Sequence, residues 1–597
     1  MHISNIIKKL LTYIVWALLN SFIIASAITL VYAAKHESNI FVIQSAPEIN
    51  IPLLITVTGV LTVLFFMLFF LKSKAYRWVT PLSVTFFACS VSMASNTSRP
   101  YFSLVLCAAA VGMLMVMKEV FPDRQVKLLE GRRLYIFVLI LTLLTVGHVS
   151  FAAIARHLCY SSSTFDLGIF AQMYRYMSTD LTLNTTLERN ILMSHLAVHF
   201  SPIYYLLLPF FLISPTVECL LIMQAAVCFS GIVPLLLMCR HWRYSETVTL
   251  GLSLAFLLFP AFTGGLFYDF HENAFLVPLL LWALYFLEAD NTVGIAVSAL
   301  LILCVKEDAG LYVIFLGLYA LFSKRVKRYN AIGLLVMGVG GFIGVTSLVE
   351  AIGEGIKVSR YNIFLTAGQD SLTDVVINVF KNPAFFFSKL LSEDKLLFLV
   401  QMLAPLMFLP VRTRRLSDWL LIAPLIIVHL ASDYAYQADI HYQYVFGTGA
   451  LLVFLCARNI RYCKEKTKTA AAAAIAGAII LTGSMNGKYE YIERLGENYA
   501  SIAATDQALA LIPEDATVFS TTYFTPHLFR CKELYMYPAI YNKDSEIVPD
   551  YVVLDSRSGV VAEYFQLYAY WLEEGYEVIS TEGYATILQR TEMQVDS

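Results

Sequence analysis

Apolar runs separated by short polar breaks recur along most of the chain. They fall near 10–34, 51–71, 79–95, 101–117 and 134–154. Further runs lie near 217–239, 246–262, 273–288, 292–304, 309–322, 331–350, 396–410, 416–431, 443–457 and 470–485. About twenty apolar residues in a helix cross a hydrocarbon core of about 30 Å. The pattern therefore predicts an all-α polytopic membrane protein of about 15 transmembrane helices. The apolar segment 196–213 is a special case. Pro202, Pro209 and Pro215 lie in and beside it, and proline denies the helix a backbone donor. A broken, interfacial segment is expected there. After 485 the period changes. Helices are expected at 498–511 and 560–574, and strands at 516–520, 551–555, 576–580 and 585–589. That alternation predicts a small C-terminal α/β domain.

Charge sets the orientation. Lys72, Lys74 and Arg77, then Lys118, Arg124, Lys127, Arg132 and Arg133, follow the second and fourth runs. The positive-inside rule places both groups, and the N-terminus, in the cytoplasm. If 196–213 crossed the membrane, the basic clusters at 240–243, 324–328, 412–415 and 458–468 would all fall outside. If it does not cross, all four are cytoplasmic and the C-terminal domain is extracytoplasmic. The second reading is adopted. Lys8 and Lys9 precede an apolar run too long for a secretion-signal core, so 10–34 is expected to be a retained first span.

This topology divides the chain into 1–133, a four-span extension; 134–350, a seven-span core with a long outer loop at 155–216; 351–485, an outer loop and further spans; and 486–597, the extracytoplasmic domain. Composition agrees: 58% of residues are hydrophobic and 14% charged, an apolar share that indicates a membrane protein. The net charge of −2 offers nothing for nucleic acid. Most of the ten cysteines sit inside apolar runs, where they act as small hydrophobes. Cys159 and Cys531 look exposed, and a bridge between them is one reading.

The topology also gathers the unusual polar residues on one face. Asp166, His195, His199, YDFHEN at 268–273, VKED at 305–308, Arg360 and SDYAYQADIHYQY at 432–444 all fall on the outer side. A site gives a reason for such convergence; a scaffold does not. Each residue has two readings. Asp166 follows Ser163-Thr164 and is either a general base or metal ligand, or a carboxylate capping a helix over 165–176. Asp269, His271 and Glu272 are either functional membrane-edge ionisable groups or a polar turn. Lys306 either meets a phosphate or is neutralised by Glu307 and Asp308. His195 and His199, one turn apart, could join a carboxylate around a divalent metal or be a hydrogen-bonded pair. Arg156 and Arg360 either clamp an anionic headgroup or anchor spans.

FDLGIFAQ at 165–172, then His199-x-x-Pro202, DFHEN at 269–273, VKED at 305–308, ADIHYQY at 438–444, TPHLFRCKELYMYP at 525–538 and DYVVLD at 550–555 occur in that order. Over about 134–590 the chain resembles the predicted membrane proteins of domain of unknown function 2079. That family looks like a branch of the C-type (GT-C) glycosyltransferases, whose members use polyprenyl-phosphate-linked sugars on the outer side of the membrane. The resemblance implies a GT-C-like core and places Asp166 at the carboxylate of the first outer loop. It implies a catalytic Asp166, with Gln172, Arg156, Asp269, His271, Glu272, Lys306, Glu307, Asp308, Arg360 and His441 binding substrate. Metal-using members carry paired acids in the loop, whereas only Asp166 stands at the motif here. A divalent metal (Mg or Mn), with His195 and His199 among its ligands, is the cofactor expectation.

The implied activity is sugar transfer from a polyprenyl-phosphate donor to an unknown extracytoplasmic acceptor, in a multi-pass protein of the cell membrane surrounded by membrane lipids. Lys306 or Arg360 would hold the phosphate, and the outer C-terminal domain would orient the acceptor. The alternatives are a transporter or flippase for a lipid-linked glycan and a non-catalytic envelope assembly factor. No internal repeat supports the transporter.

Overall fold

The computed structural model describes residues 2–36, 50–71, 76–94, 131–323, 326–353, 358–543, 546–557 and 561–591. The expected run at 101–117 and the basic residues Lys72, Lys74, Lys118, Arg124 and Lys127 lie outside the described residues. Among the described residues, eight helices are long and apolar enough to cross a membrane. They are Leu10–Tyr32, Ile51–Leu68, Arg132–Leu158, Val217–His241, Glu246–Leu266, Arg328–Ile352, Gln443–Tyr462 and Lys466–Met485. Each coincides with an apolar run in the sequence.

Other runs form shorter helices. Leu276–Glu288, Thr292–Leu303 and Gly310–Ser323 hold 13, 12 and 14 residues, roughly 20 Å each against a core of about 30 Å. Two of them are led by tight 3-10 turns, Glu272–Phe275 and Glu307–Ala309. DFHEN and VKED therefore stand where helix would otherwise continue, so their charges enter the bundle. The runs at 396–410 and 416–431 form no continuous span: the helix Glu393–Leu403 gives way to Ala404–Leu406, and Leu416–Trp419 to Leu425–Leu430. Pro405, Pro410 and Pro424 interrupt the backbone ladder there. Among the described residues, continuous helices of spanning length number eight, against the expected total of about 15. The segment 196–213 breaks into pieces of at most six residues, Pro202–Leu206 and Leu208–Ile213.

Polar and basic motifs separate to opposite ends of the bundle. The helix Leu276–Glu288 begins beside Glu272 and ends at Glu288, which pairs with the fully buried Arg458. At that end Trp242 Nε1 donates to Glu288 Oε2 at 3.0 Å and the Tyr244 hydroxyl to the Ala457 carbonyl at 2.7 Å. Basic clusters 240–243 and 458–468 thus meet away from DFHEN.

The first two strands, β1 (Asn184–Thr185) and β2 (Met193–Ser194), form an antiparallel pair inside the long loop. The C-terminal sheet has strand order β4-β3-β5-β7-β6. β3 (Thr517–Ser520) lies parallel to both β4 (Glu533–Met536) and β5 (Tyr551–Asp555). β7 (Ala585–Arg590) runs antiparallel to β5 and to β6 (Tyr576–Ser580). Helices Tyr499–Leu509 and Val561–Glu573 accompany the sheet. β5 is buried along its whole length, as an apolar YVVL run requires. β4, inside KELYMYP, was not among the expected strands.

The long loop is bound to this sheet. Asn190 Nδ2 donates to the Met536 carbonyl at 2.9 Å and its Oδ1 accepts the Met536 N–H at 3.0 Å. One side-chain amide thus pairs with the β4 edge as a strand residue would. Arg557 Nη1 donates to the Tyr160 carbonyl at 2.7 Å, and the Tyr160 and His527 rings stack at 4.0 Å.

Candidate active site

Asp166 does not stand in a helix. The expected helix over 165–176 begins at Ile169, and Thr164–Gly168 form a tight irregular turn with Asp166 at φ 70°, ψ −82°. An L-residue in that region costs on the order of 1–3 kcal/mol and persists only where its surroundings enforce it. The Thr164 N–H donates to Thr522 Oγ1 at 3.1 Å, and the hydroxyls of Thr164 and Thr525 lie 2.9 Å apart. A Cβ on Gly168 would come within 2.8 Å of Thr525 Oγ1, so the turn needs glycine to seat on the sheet domain. The capping reading is corrected: the helix begins at Ile169 with Gly168 at its N-cap, and the Asp166 carboxylate makes no cap bond among the described residues. Among the described residues, nothing hydrogen-bonds the half-buried Asp166 carboxylate. Burial raises its pKa, Glu272 and Glu188 raise it further, and His271 and Lys306 oppose the rise.

Beneath this acid lies a buried ion network. Lys306 Nζ sits 3.0 Å from Glu272 Oε1, and His271 Nδ1 sits 3.0 Å from Glu272 Oε2. The Tyr204 hydroxyl donates to Glu272 and accepts the Glu272 N–H at 3.2 Å. Burial disfavours the Glu272 anion, but His271 and Lys306 outweigh it and hold its pKa well below the carboxylate range. Burial likewise works to lower the Lys306 pKa, and Glu272, Glu307 and Asp308 raise it. Lys306 is thus a fixed cation. Beside it Arg156 Nη1 meets Asp269 Oδ1 at 2.8 Å and donates to the Tyr268 carbonyl. Burial, with Asp166 adding to it, pushes Asp269 up to about 6 against the pull of Arg156.

Lys306 and Arg360 also line a cavity of about 340 Å³, together with His199, Glu307, Asp308 and Gln437. Its apolar lining includes Phe342, Leu311, Val375 and Ile427. Phe342 and Thr346 belong to the span Arg328–Ile352, so a membrane helix forms part of the cavity lining. Arg360 donates to Gln437 Oε1 at 2.9 Å and lies 5.2 Å over the Tyr444 ring. Burial, with Glu307 adding to it, raises the Asp308 pKa.

The histidines expected to share a metal take separate acids. His195 Nδ1 meets Glu188 Oε2 at 3.0 Å and His199 Nδ1 meets Glu307 Oε1 at 2.8 Å. Burial and Lys306 lower the His199 pKa, and Glu307 opposes them. Among the described residues no three His, Cys, Asp or Glu side chains converge as metal ligands, so the residues do not fit a metal of that kind.

Gln172 is also corrected. It is 0% exposed, and its Oε1 accepts from Thr185 Oγ1 at 2.7 Å and the Thr186 N–H at 2.8 Å, while its Nε2 donates to Thr186 Oγ1 at 2.8 Å. It ties the loop rather than facing the cavity. His441 spends both nitrogens, on Asp439 at 2.6 Å and on the Ser484 carbonyl at 2.9 Å. Cys159 and Cys531 are free and buried. Sequence reading missed Tyr204 and Lys488. Lys488, whose pKa is lowered by burial and by Arg156, lies just past the span Lys466–Met485. Its one signal was a lysine in the first turn beyond an apolar run.

No curated protein matches the sequence. Two similar solved structures are those of ArnT from Cupriavidus metallidurans. The one bound to undecaprenyl phosphate is 11% identical, covers 75% of this chain and 97% of its own, and gives a TM-score of 0.47. The apo one is 12% identical with the same coverage and a TM-score of 0.38. The family model "Predicted membrane protein (DUF2079)" matches residues 156–575, from Arg156 at the base of the site past β5 of the sheet domain, and the chain belongs to that family.

Proposed function

We propose that the chain is a membrane glycosyltransferase that moves a sugar from a polyprenyl-phosphate donor to an acceptor on the outer face of the cytoplasmic membrane. The cavity carries the reading: Lys306 and Arg360 line it together with apolar side chains, Phe342 of a membrane helix among them. That mixed lining suits a charged head on a hydrocarbon chain. Lys306 and Arg360 hold the phosphate and take up the charge that grows as the anomeric carbon–oxygen bond breaks. The acceptor hydroxyl attacks that carbon, its proton passes to Asp166, and polyprenyl phosphate leaves as the anion. One displacement inverts the anomer. An unpartnered carboxylate with a raised pKa is suited to accept that proton. No step is assigned to a metal.

Protein in nanodiscs with polyprenyl-phosphate sugars tests this, with release of polyprenyl phosphate as the readout. Asp166→Asn should lower turnover by about 10²- to 10⁴-fold while leaving lipid binding intact. Arg360→Gln should weaken lipid binding. Wild-type turnover in Asp166→Asn removes Asp166 as the base, and absence of lipid binding by the wild type removes the donor reading.

A further inference from the structure

A second cavity, of about 450 Å³, lies between the Asp166 turn and the C-terminal sheet. Its floor is built from chain that leaves three parallel strands. Thr521, Thr522 and Tyr523 follow β3, Tyr537 and Pro538 follow β4, and Leu554 and Asp555 end β5. β3 has β4 on one side and β5 on the other. The connections therefore depart in opposite directions, and a crevice opens at the carboxyl ends of the strands. Open α/β sheets bind ligands at such a point.

The lining specifies the ligand class. Phe165, Tyr523, Tyr537 and Tyr564 supply ring faces, and Thr521 and Thr522 supply hydroxyls. Asp555 is already neutralised: Arg557 Nε donates to its two oxygens at 2.8 and 3.0 Å. Arg557 lies 4.8 Å over the Tyr523 ring, which is 37% exposed. Both charges at this wall are thus spent on each other, so the crevice favours a neutral polyol over an anion.

Phe165 lines this crevice, and the next residue, Asp166, stands under the influence of His271 and Lys306. Lys306, which acts on Asp166, also lines the first cavity, so the turn stands between the crevice and that charged group. We infer that the crevice binds a neutral saccharide unit of the acceptor, and that the turn delivers its hydroxyl to Asp166. The second half of this inference rests on the glycosyltransferase reading; saccharide binding itself does not.

The test uses full-length protein in nanodiscs and saturation-transfer NMR. The probes are glucose, galactose, N-acetylglucosamine and their disaccharides, with glucuronate and glucose 6-phosphate as charged controls. At least one neutral sugar should bind in preference to the charged controls. Tyr523→Ala should weaken that binding by tenfold or more, and Tyr523→Phe, which keeps the ring, should restore it. Polyprenyl-phosphate binding should be unchanged in both. Failure of every neutral sugar to bind, preference for the charged controls, or equal binding in Tyr523→Ala overturns the crevice assignment. Sugar binding in a protein that binds no polyprenyl phosphate upholds the crevice and fails the donor reading instead.

Discussion

Replacing Lys306 with Met separates a pre-formed ion network from an accidental one. Lys306 Nζ lies 3.0 Å from Glu272 Oε1, with side chains 4% and 0% exposed. At an effective dielectric of about 20, Coulomb attraction at that distance is about 5–6 kcal/mol before desolvation is subtracted. Removing one partner of a buried pair typically costs about 3–5 kcal/mol, because the other charge stays buried. Glu272 keeps the Tyr204 hydroxyl and His271, so the lower end, about 3 kcal/mol, is expected. Glu272→Gln strands a cation on which Glu307 and Asp308 still act, and it too should destabilise. The double variant should cost less than the sum of the singles by about 2 kcal/mol, the range of directly contacting residues. Unfolding by dodecyl sulfate in mixed micelles, followed by tryptophan fluorescence, gives the four free energies of the cycle. A coupling below about 0.5 kcal/mol, the scatter of independent sites, would refute the pairing.

Two further outcomes follow from the same geometry. Asp269 holds its proton up to about pH 6 in the folded chain, above the ordinary carboxylate value of about 3.9. Between those values the folded state binds more protons than the unfolded one. Stability from protonated Asp269 is therefore present at low pH and falls as pH rises through about 6. Unfolding free energy measured between pH 4 and 7 should show that decline, and Asp269→Asn should flatten it. Gln172→Ala leaves the Thr186 N–H without its acceptor and should lower stability by about 1–3 kcal/mol, with donor-lipid affinity unchanged in the same nanodisc measurement.

The long apolar helices were legible because length and hydropathy alone define them, and the broken character of 196–213 was legible because proline has one meaning in a helix. The shorter helices were legible as the runs 273–288 and 309–322, but the 3-10 turns Glu272–Phe275 and Glu307–Ala309 that lead them were not. β4 escaped because KELYM is short and stands at a sheet edge, where Asn190, distant in sequence, completes its pairing. At the site, sequence marked the ionisable residues by their oddity in an apolar chain. It did not assign their partners. Gln172 lies in the same motif as Asp166 yet faces a loop backbone, and no spacing rule separates a motif residue that holds the loop from one that faces a cavity.

The distribution of partners is what distinguishes this cluster from a structural one. Glu188, Asp269, Glu272, Glu307 and Asp439 each have a cationic or histidine partner within 3.0 Å. Asp166 and Asp308, among the described residues, have no ion pair or hydrogen bond through their carboxylates. A fold that needed only stability would neutralise these two as well, because an unpaired carboxylate is costly even when half-buried. Asp166 is moreover held at a positive φ by contacts from a separate sheet, so the strain and the missing partner fall on the same residue. Asp308 lines the 340 Å³ cavity, where burial and Glu307 raise its pKa. Asp308 lines a cavity and Asp166 follows Phe165, which lines the other, so the two acids without partners both stand next to open space.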